Sequence, residues 1–99
     1  MNELPNDIEA EMGLLGAMVL SPAVIDEIAP VVRAQDFYVE AHQILFNAMS
    51  LLRADQRPID ITLLVSHLRE VGEFERVGGA AHLAKLRNAV GSVTNARAY

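Results

Sequence analysis

The apolar residues of this 99-residue chain recur at intervals of three and four, and this spacing constrains the fold more than any other feature. It is clearest from Val39 to about Arg53, where one side of the segment carries Ile44, Leu45, Ala48, Met49 and Leu52. Such a repeat is typical of an amphipathic helix packed on a core. The alternation of apolar and polar residues that a strand needs is nowhere sustained. The sequence therefore predicts an all-α fold, a compact bundle of about five to six helices.

Capping residues and prolines predict the boundaries of the first two helices. Asn6 is a good N-cap residue, and Glu9 completes a capping-box pattern with it. Ser21 followed by Pro22 predicts the start of a short second helix, since serine caps and proline suits the first helical position. That helix is expected over residues 23–29. Residues 31–38 are predicted to form a connection with room for one extra turn.

Glycines and one aspartate predict the later boundaries. Asp60 is expected to cap a fourth helix, and Gly72 stands where a left-handed residue belongs beyond its last turn. A fifth helix is predicted to open at Gly78–Gly79 and to end at Gly91, with Ser92 capping a sixth. The predicted domain division is thus a helical bundle over residues 1–91 and the start of a further element over 92–99. Because only a few residues follow Ser92, we expect the chain to be a piece of a longer protein.

Three small residues, Gly13, Gly16 and Ala17, interrupt the apolar face of the first predicted helix, which carries Ile8, Met12, Leu15 and Val19. Each glycine inside a helix costs about 1 kcal/mol relative to alanine, so packing should offset the loss. We predict that another helix backbone approaches closely here. A contact inside the domain is favoured over a contact with another subunit.

Composition and charge exclude several classes of protein. The sequence has no cysteine, which excludes disulfides and thiolate metal sites, and its formal net charge is −5. The basic residues are scattered, so direct binding of nucleic acid is not expected. The longest apolar run, Met12 to Leu20, is about half the ~20 residues of a membrane span. The acidic N-terminus does not resemble a signal peptide. We expect a cytoplasmic protein that does not contact a membrane.

The three histidines and two glutamates of the first predicted helix are the candidate chemical groups of the sequence. His42, His67 and His82 fall on three different predicted helices without a metal-ligand spacing, so no metal site is expected. His42 is predicted to be a packing residue and the other two to lie at the surface. Glu9 and Glu11 are two positions apart on a helix and point to different sides. They are predicted to favour a helix N-terminus and not to form an acid–base pair.

Two further motifs have a functional and a structural interpretation. Gly78–Gly79 could cradle a phosphate at a helix start, but no strand precedes it and the sequence contains no G-x-x-x-x-G-K-[ST] motif. A turn is predicted instead. Phe37 and Tyr38, beside Asp36, could stack on bases of single-stranded DNA. The acidic charge balance favours aromatic residues of a loop anchored in the core. No catalytic, cofactor-binding or metal-binding residue is therefore predicted in this chain.

Four groups of residues, taken in order, carry a resemblance to a known family. They comprise Ile8-Glu9-Ala10-Glu11 with Leu14-Leu15-Gly16-Ala17-Met18; Asp36-Phe37-Tyr38 with His42 and Ile44-Leu45-Phe46; Pro58-Ile59-Asp60 with Thr62-Leu63 and Leu68; and Val77-Gly78-Gly79 with Leu83, Leu86, Asn95 and Tyr99. This arrangement, from about Asn6 to Tyr99, is similar to the N-terminal domain of DnaB-type bacterial replicative DNA helicases. Each group alone is a weak signal, whereas their order and spacing together are specific.

The resemblance implies a fold, an assembly and partners. In that family the domain is a small helical bundle followed by a helical hairpin through which subunits pair. A linker leads to a motor domain that hydrolyses ATP with magnesium, and six subunits form a ring around single-stranded DNA. The collar of N-terminal domains docks the C-terminal domain of primase, and a helicase loader is a further possible partner. Here the dimerisation hairpin would begin around Ser92 and is truncated, so only weak pairing of this chain is expected.

The resemblance does not name the residues that contact a partner. Exposed positions on the helix from Val39 to Arg53 and on the helix from Ala80 to Val90 are the candidates. A second hypothesis is a small helical DNA-binding transcription regulator, in which Asp60 to Val71 would belong to a helix-turn-helix. Against it, that segment carries only one arginine, Arg69. An enzyme is the third hypothesis, and no nucleophile–base pair or metal cluster favours it.

Overall fold

A computed structural model describes the backbone of residues 8–98 and the side chains of residues 8–91. The described chain forms five α-helices and one 3₁₀ turn, in the order α1 (Ile8–Leu20), α2 (Ala23–Ile28), η1 (Ala34–Asp36), α3 (Glu40–Ala54), α4 (Ile61–Glu70) and α5 (Gly79–Ala98). No strand occurs within residues 8–98. The predicted all-α class is confirmed, and so is the extra turn in the connection before α3.

Helix α3 is the centre of the bundle because it is buried on most of its circumference. Its side chains at Leu45, Met49 and Leu52 are almost completely buried. Helices α1, α2 and α4 all pack against it, and α1 in turn packs most extensively against α5. Three helices therefore surround α3, and α5 packs on the outside of α1 and α4. Packing of this kind is how an apolar stripe on each helix is removed from water.

Helix α2 is held to α3 by one apolar and one polar contact. Ile25 is buried in the core. On the surface, the guanidinium of Arg53 donates two hydrogen bonds to the carboxylate of Asp26, at 3.0 and 2.6 Å. This pairing lowers the pKa of Asp26, mainly through the hydrogen bond itself. The helix starts after Pro22 without a side-chain cap, so the predicted capping role of Ser21 is wrong.

The boundaries of α4 follow the sequence signals. The Asp60 carboxylate accepts a hydrogen bond from the Leu63 amide at 2.8 Å, as expected of an N-cap residue. After the last turn, Gly72 has a φ of +77°. Its amide donates to the carbonyl of Arg69 and the next amide, of Glu73, donates to the carbonyl of Leu68. These two bonds define a Schellman motif, which confirms the prediction made from Gly72.

Helix α5 differs from its prediction because it does not end at Gly91. It continues without interruption to Ala98. A glycine ends a helix by adopting a positive φ, and Gly91 is not among the described residues that do so. The predicted start of a sixth helix at Ser92 is therefore wrong. Whether residues 92–99 belong to a pairing hairpin stays a prediction, since their side chains lie outside the described part. The proposed cap at Asn6 also lies outside it.

The buried face of α1 is rotated from the predicted one. Leu15 and Met18 are fully buried and Glu11 is nearly so, whereas Ile8 is 55% exposed. Met12 and Val19 are only partly buried. The segment from Met12 to Leu20 is apolar on almost every side, so its periodicity does not define which face meets the core. None of the helices in the described residues has the length and hydrophobicity that crossing a membrane requires.

Candidate functional site

A buried carboxylate connects α1 to the start of α3. Glu11 is only 2% exposed. One of its oxygens, Oε2, accepts a hydrogen bond from the Tyr38 amide at 2.6 Å. The other, Oε1, lies 2.8 Å from Nδ1 of His42 and 3.4 Å from the Val39 amide. A single side chain thus bonds three groups that are far away along the sequence.

This arrangement places a carboxylate at the N-terminal end of α3. Val39 is the N-cap residue of α3 and has no side-chain oxygen to accept a backbone hydrogen bond. The amides at a helix N-terminus need acceptors, and the helix dipole favours a negative charge there. Glu11 brings a negative charge to this end from another helix and accepts the amides of Tyr38 and Val39, which directly precede the first helical residue. Glu9 and Glu11 both lie in the first turn of α1, as predicted. They lie on different sides of it, since Glu9 is exposed and Glu11 is buried.

Two histidine rings extend this cluster from α3 to α5. The rings of His42 and His82 have centroids 5.2 Å apart and are tilted by 37°. Each Nε2 atom is buried without a hydrogen-bond partner among the described residues. Burial lowers the pKa of His82, and the charges of His42 and Lys85 lower it further. The hydrogen bond between Glu11 and His42 and the ring contact between His42 and His82 therefore join α1, α3 and α5.

The three predicted histidine positions have different outcomes. His42 is fully buried, so its packing role is confirmed, but its bond to Glu11 had no signal in the sequence. His67 is only 7% exposed, and its prediction as a surface residue is wrong. His82 is partly buried. In the part of the chain that the structure describes, no three His, Asp or Glu side chains are grouped so that they could hold a metal ion.

The glycine pair before α5 forms a turn, as predicted. Gly78 has a φ of +98° and Gly79 a φ of +62°. Their amides donate to the carbonyls of Glu75 and Phe74, both at 3.0 Å. A phosphate cradle needs free amide donors, and these two are already used within the turn. The residues of this turn do not fit a nucleotide phosphate.

Gly16 lies where α1 and α5 meet most closely. A Cβ atom built on Gly16 would lie 3.1 Å from the backbone carbonyl carbon of Ala89 and 3.2 Å from the backbone nitrogen of Val90. A Cβ on Gly13 would meet nothing within 4 Å. The predicted close approach inside the domain is confirmed at Gly16 and does not occur at Gly13.

The two aromatic residues before α3 have separate environments. Phe37 is 1% exposed, and its ring centroid lies 5.2 Å from that of Phe46. Tyr38 is 65% exposed. The prediction of a core anchor is therefore confirmed for Phe37 and wrong for Tyr38. On α4, the one arginine of the suggested recognition helix, Arg69, lies over the ring of Phe74 at 4.5 Å.

The two helices suggested for partner binding offer different amounts of surface. Helix α3 is mostly buried and exposes only a narrow stripe, at Glu40, Asn47, Leu51 and Ala54. Helix α5 exposes a broader face within the described side chains, formed by Ala80, Ala81, Ala84, Lys85, Arg87, Asn88 and Gly91. Because docking needs a continuous patch, α5 is the better placed of the two.

Comparisons with known proteins agree on one family. The family model described as the DnaB-like helicase N terminal domain matches residues 3–99. The replicative DNA helicase DnaB of Pasteurella multocida is 40% identical over 95 residues, which are 96% of this chain and 20% of the relative. That of Haemophilus influenzae is 41% identical over 95 residues, with the same coverage of both chains. The chain thus spans about a fifth of the length of the curated relatives that it matches.

A solved structure has the same fold. The crystal structure of the N-terminal domain of DnaB helicase from Mycobacterium tuberculosis superposes with a TM-score of 0.78 at 34% sequence identity. The match covers 89% of this chain and 61% of that one. Sequence and structure therefore lead to the same group of proteins, over nearly the whole of the chain.

Proposed function

This chain belongs to the family of DnaB-like helicase N-terminal domains, and from that premise we propose that it is the collar domain of a replicative DNA helicase subunit. In this proposal the domain docks other proteins and takes part in assembly of the ring, and it catalyses no reaction itself. The family match over residues 3–99 is the observation that carries the proposal. The shared fold of the solved N-terminal domain supports it.

The proposal for the parent protein is ATP-dependent unwinding of DNA during replication, in the cytoplasm. Because the chain covers about a fifth of its relatives, the motor would lie in the remainder of that protein. ATP and magnesium would bind to the motor. Within this domain, the amides of Gly78 and Gly79 donate to carbonyls of the same turn, which supports a role separate from nucleotide binding.

The partners that we propose are the C-terminal domain of primase, the other subunits of a hexameric helicase and a helicase loader. Docking of folded proteins rests on a partly apolar patch with a polar rim. The exposed face of α5 offers alanines beside Lys85 and Arg87, which is a surface of that composition. If primase binds this face, the bundle can link the arrangement of helicase subunits in the ring to primer synthesis.

Calorimetric titration of purified primase C-terminal domain into this domain tests the proposal. We expect saturable binding at moderate salt, weak for this chain and at least about tenfold tighter for a longer piece that includes the following hairpin, a gain of about 1.4 kcal/mol. An unrelated acidic helical domain serves as the control. If neither piece binds while the full-length helicase does, docking lies in the linker or motor and the collar acts only in assembly.

Nucleic-acid binding separates this function from the transcription-regulator alternative. A domain with a net charge of −5 should bind labelled oligothymidine and duplex DNA weakly or not at all at physiological salt. Fluorescence anisotropy measures both. Tight, salt-sensitive binding to duplex DNA would favour the regulator and count against a docking module.

A further inference from the structure

An open groove lies between α4 and α5 and is independent of the buried Glu11 cluster. Its volume is about 330 Å³. The apolar side chains that line it include Ile61 and Val65 from α4, Phe74 from the loop, and Leu83 and Ala84 from α5. Ile61, Val65 and Phe74 are only partly buried, so part of their apolar surface remains in contact with solvent. We call this feature the α4–α5 groove.

The charge of the α4–α5 groove is opposite to that of the chain. The two charged residues that line it, Arg69 and Arg87, are both basic, although the chain has a formal net charge of −5. Both arginines are exposed. The guanidinium of Arg69 is positioned over the ring of Phe74. No ion pair with a carboxylate of residues 8–91 engages either arginine. The groove therefore has two arginines and no carboxylate among its lining residues.

The floor of the groove allows close approach of another helix. Ala80 and Ala84 are one turn apart on α5, line the groove and are exposed. Small side chains let a second helix approach closely, while a neighbouring apolar groove receives its larger side chains. An amphipathic helix in a groove is a recurrent mode of protein recognition, with anchors at spacings of three, four and seven residues.

We propose that the α4–α5 groove is the docking site for an acidic amphipathic helix of a partner protein. Apolar side chains of that helix would contact Ile61, Val65 and Phe74, and its carboxylates would pair with Arg69 and Arg87. Charge complementarity favours an acidic helix, because its carboxylates would be attracted to the two arginines, whereas the like charges of a basic helix would be repelled. The inference rests on the geometry and charge of the groove, so it does not depend on which protein carries the helix.

Titration with two synthetic peptides tests the proposal. Both have about 15 residues and the same leucine stripe, and the flanking positions are all glutamate in one and all lysine in the other. We expect the glutamate peptide to shift the ¹⁵N amide resonances of residues 61–69 and 80–87 saturably, and to bind at least about tenfold more tightly than the lysine peptide. Absence of saturable shifts, or equal affinity of both peptides, would overturn the proposal.

Matched variants locate the binding. Ala84→Glu places a carboxylate on the groove floor, whereas Ala81→Glu places one on the exposed face of the same helix outside the groove. Arg87→Glu reverses a groove charge, and Lys85→Glu makes the same change beside it. We expect a loss of at least about tenfold for Ala84→Glu and Arg87→Glu and little change for the two controls. Circular dichroism confirms that each variant is folded. Equal losses in all four would contradict a local site.

Sedimentation of the free domain decides whether a second copy is the true occupant. We expect no self-association that depends on the groove. If the domain pairs with itself, and Ala84→Glu abolishes the pairing while Ala81→Glu does not, the groove is an interface between copies. That result would overturn the assignment to an acidic partner.

Discussion

Nδ1 of His42 lies 2.8 Å from Oε1 of Glu11, and both side chains are buried between α1 and α3. The same carboxylate accepts the Tyr38 amide. Helix α1 is therefore joined through one side chain to the N-terminal end of the central helix. A buried carboxylate is tolerated in such a place only when hydrogen bonds replace its water, and here the protein supplies them.

Replacing Glu11 with glutamine should remove a large part of the stability of the domain. Glu11→Gln keeps the size of the side chain but places an N–H₂ group among donors that need an acceptor. Leaving a buried donor without its acceptor costs about 1–3 kcal/mol, and more when the lost acceptor is charged. We expect a loss of about 3 kcal/mol in urea denaturation, against about 0.5 kcal/mol or less for Glu27→Gln on the exposed side of α2. A loss below about 1 kcal/mol would show that the buried pair contributes little.

Acidification should weaken the domain through His82. Burial, then the charges of His42 and Lys85, lowers the pKa of His82 in the folded chain. The unfolded chain, with a pKa of about 6.5, therefore binds the proton more readily. Stability from this residue is fully present above pH ~6.5 and is lost as the pH falls below that value, down to the folded pKa. We expect the melting temperature to fall between pH ~7 and ~5.

Variants separate His82 from the other titrating groups. His82→Gln should flatten the decline in melting temperature, because glutamine does not titrate. Lys85→Gln removes only the smallest of the three causes and should flatten it slightly. Thermal denaturation followed by circular dichroism over this pH range provides the measurement. The same slope in the wild type and in His82→Gln would assign the decline to other groups.

The helix boundaries could be predicted from the sequence where local backbone chemistry decides them. Asp60 bonds an amide three residues away, and Gly72 and Gly78 adopt the positive φ that a glycine allows. Gly91 lies inside α5 without that conformation, since a glycine within a helix costs only about 1 kcal/mol relative to alanine. The sequence contains no information at Gly91 itself that separates the two cases.

The buried cluster could not be predicted, because its partners are distant along the chain. Glu11 and His42 are 31 positions apart, and Tyr38 is 27 positions from Glu11. The sequence predicted Glu11 only as an acidic residue near the N-terminus of its own helix. The one available signal was its register, since Glu11, Leu15 and Met18 share a face that the structure buries. Because α1 is apolar on nearly all sides, its sequence does not indicate which side is buried.

The two glycines of α1 should respond in opposite directions to alanine. Gly13→Ala adds a methyl group with nothing within 4 Å and removes the helix cost of glycine, so we expect a gain of about 0.5–1 kcal/mol in the free energy of unfolding. Gly16→Ala also removes the helix cost of glycine, but it places Cβ 3.1 Å from the backbone of Ala89. Overpacking costs about 1–3 kcal/mol, so we expect a net loss. Urea denaturation measures both, and a gain at both positions would show that α5 shifts easily.

Helices α3 and α4 end in the same motif with different residues in the left-handed position. Gln56, with a φ of 58°, follows α3, and Gly72, with a φ of 77°, follows α4. After α3, the Gln56 amide donates to the carbonyl of Arg53 and the Arg57 amide donates to the carbonyl of Leu52. The bonds after α4 have the same pattern, so the two ends form a natural comparison of glutamine with glycine.

Exchanging these two residue types should move stability in opposite directions. The left-handed conformation costs an L-residue about 1–2 kcal/mol, and glycine adopts it without that cost but loses about 0.4–1 kcal/mol of chain entropy on folding. Gln56→Gly should therefore raise the free energy of unfolding by roughly 0.5–1 kcal/mol, and Gly72→Gln should lower it by a similar amount. A Cβ on Gly72 would meet nothing within 4 Å, so the loss there comes from the backbone and not from a clash. Urea denaturation of both variants and of the double exchange gives the values. Two changes of the same sign would show that side-chain contacts, and not the left-handed backbone, decide stability at these helix ends.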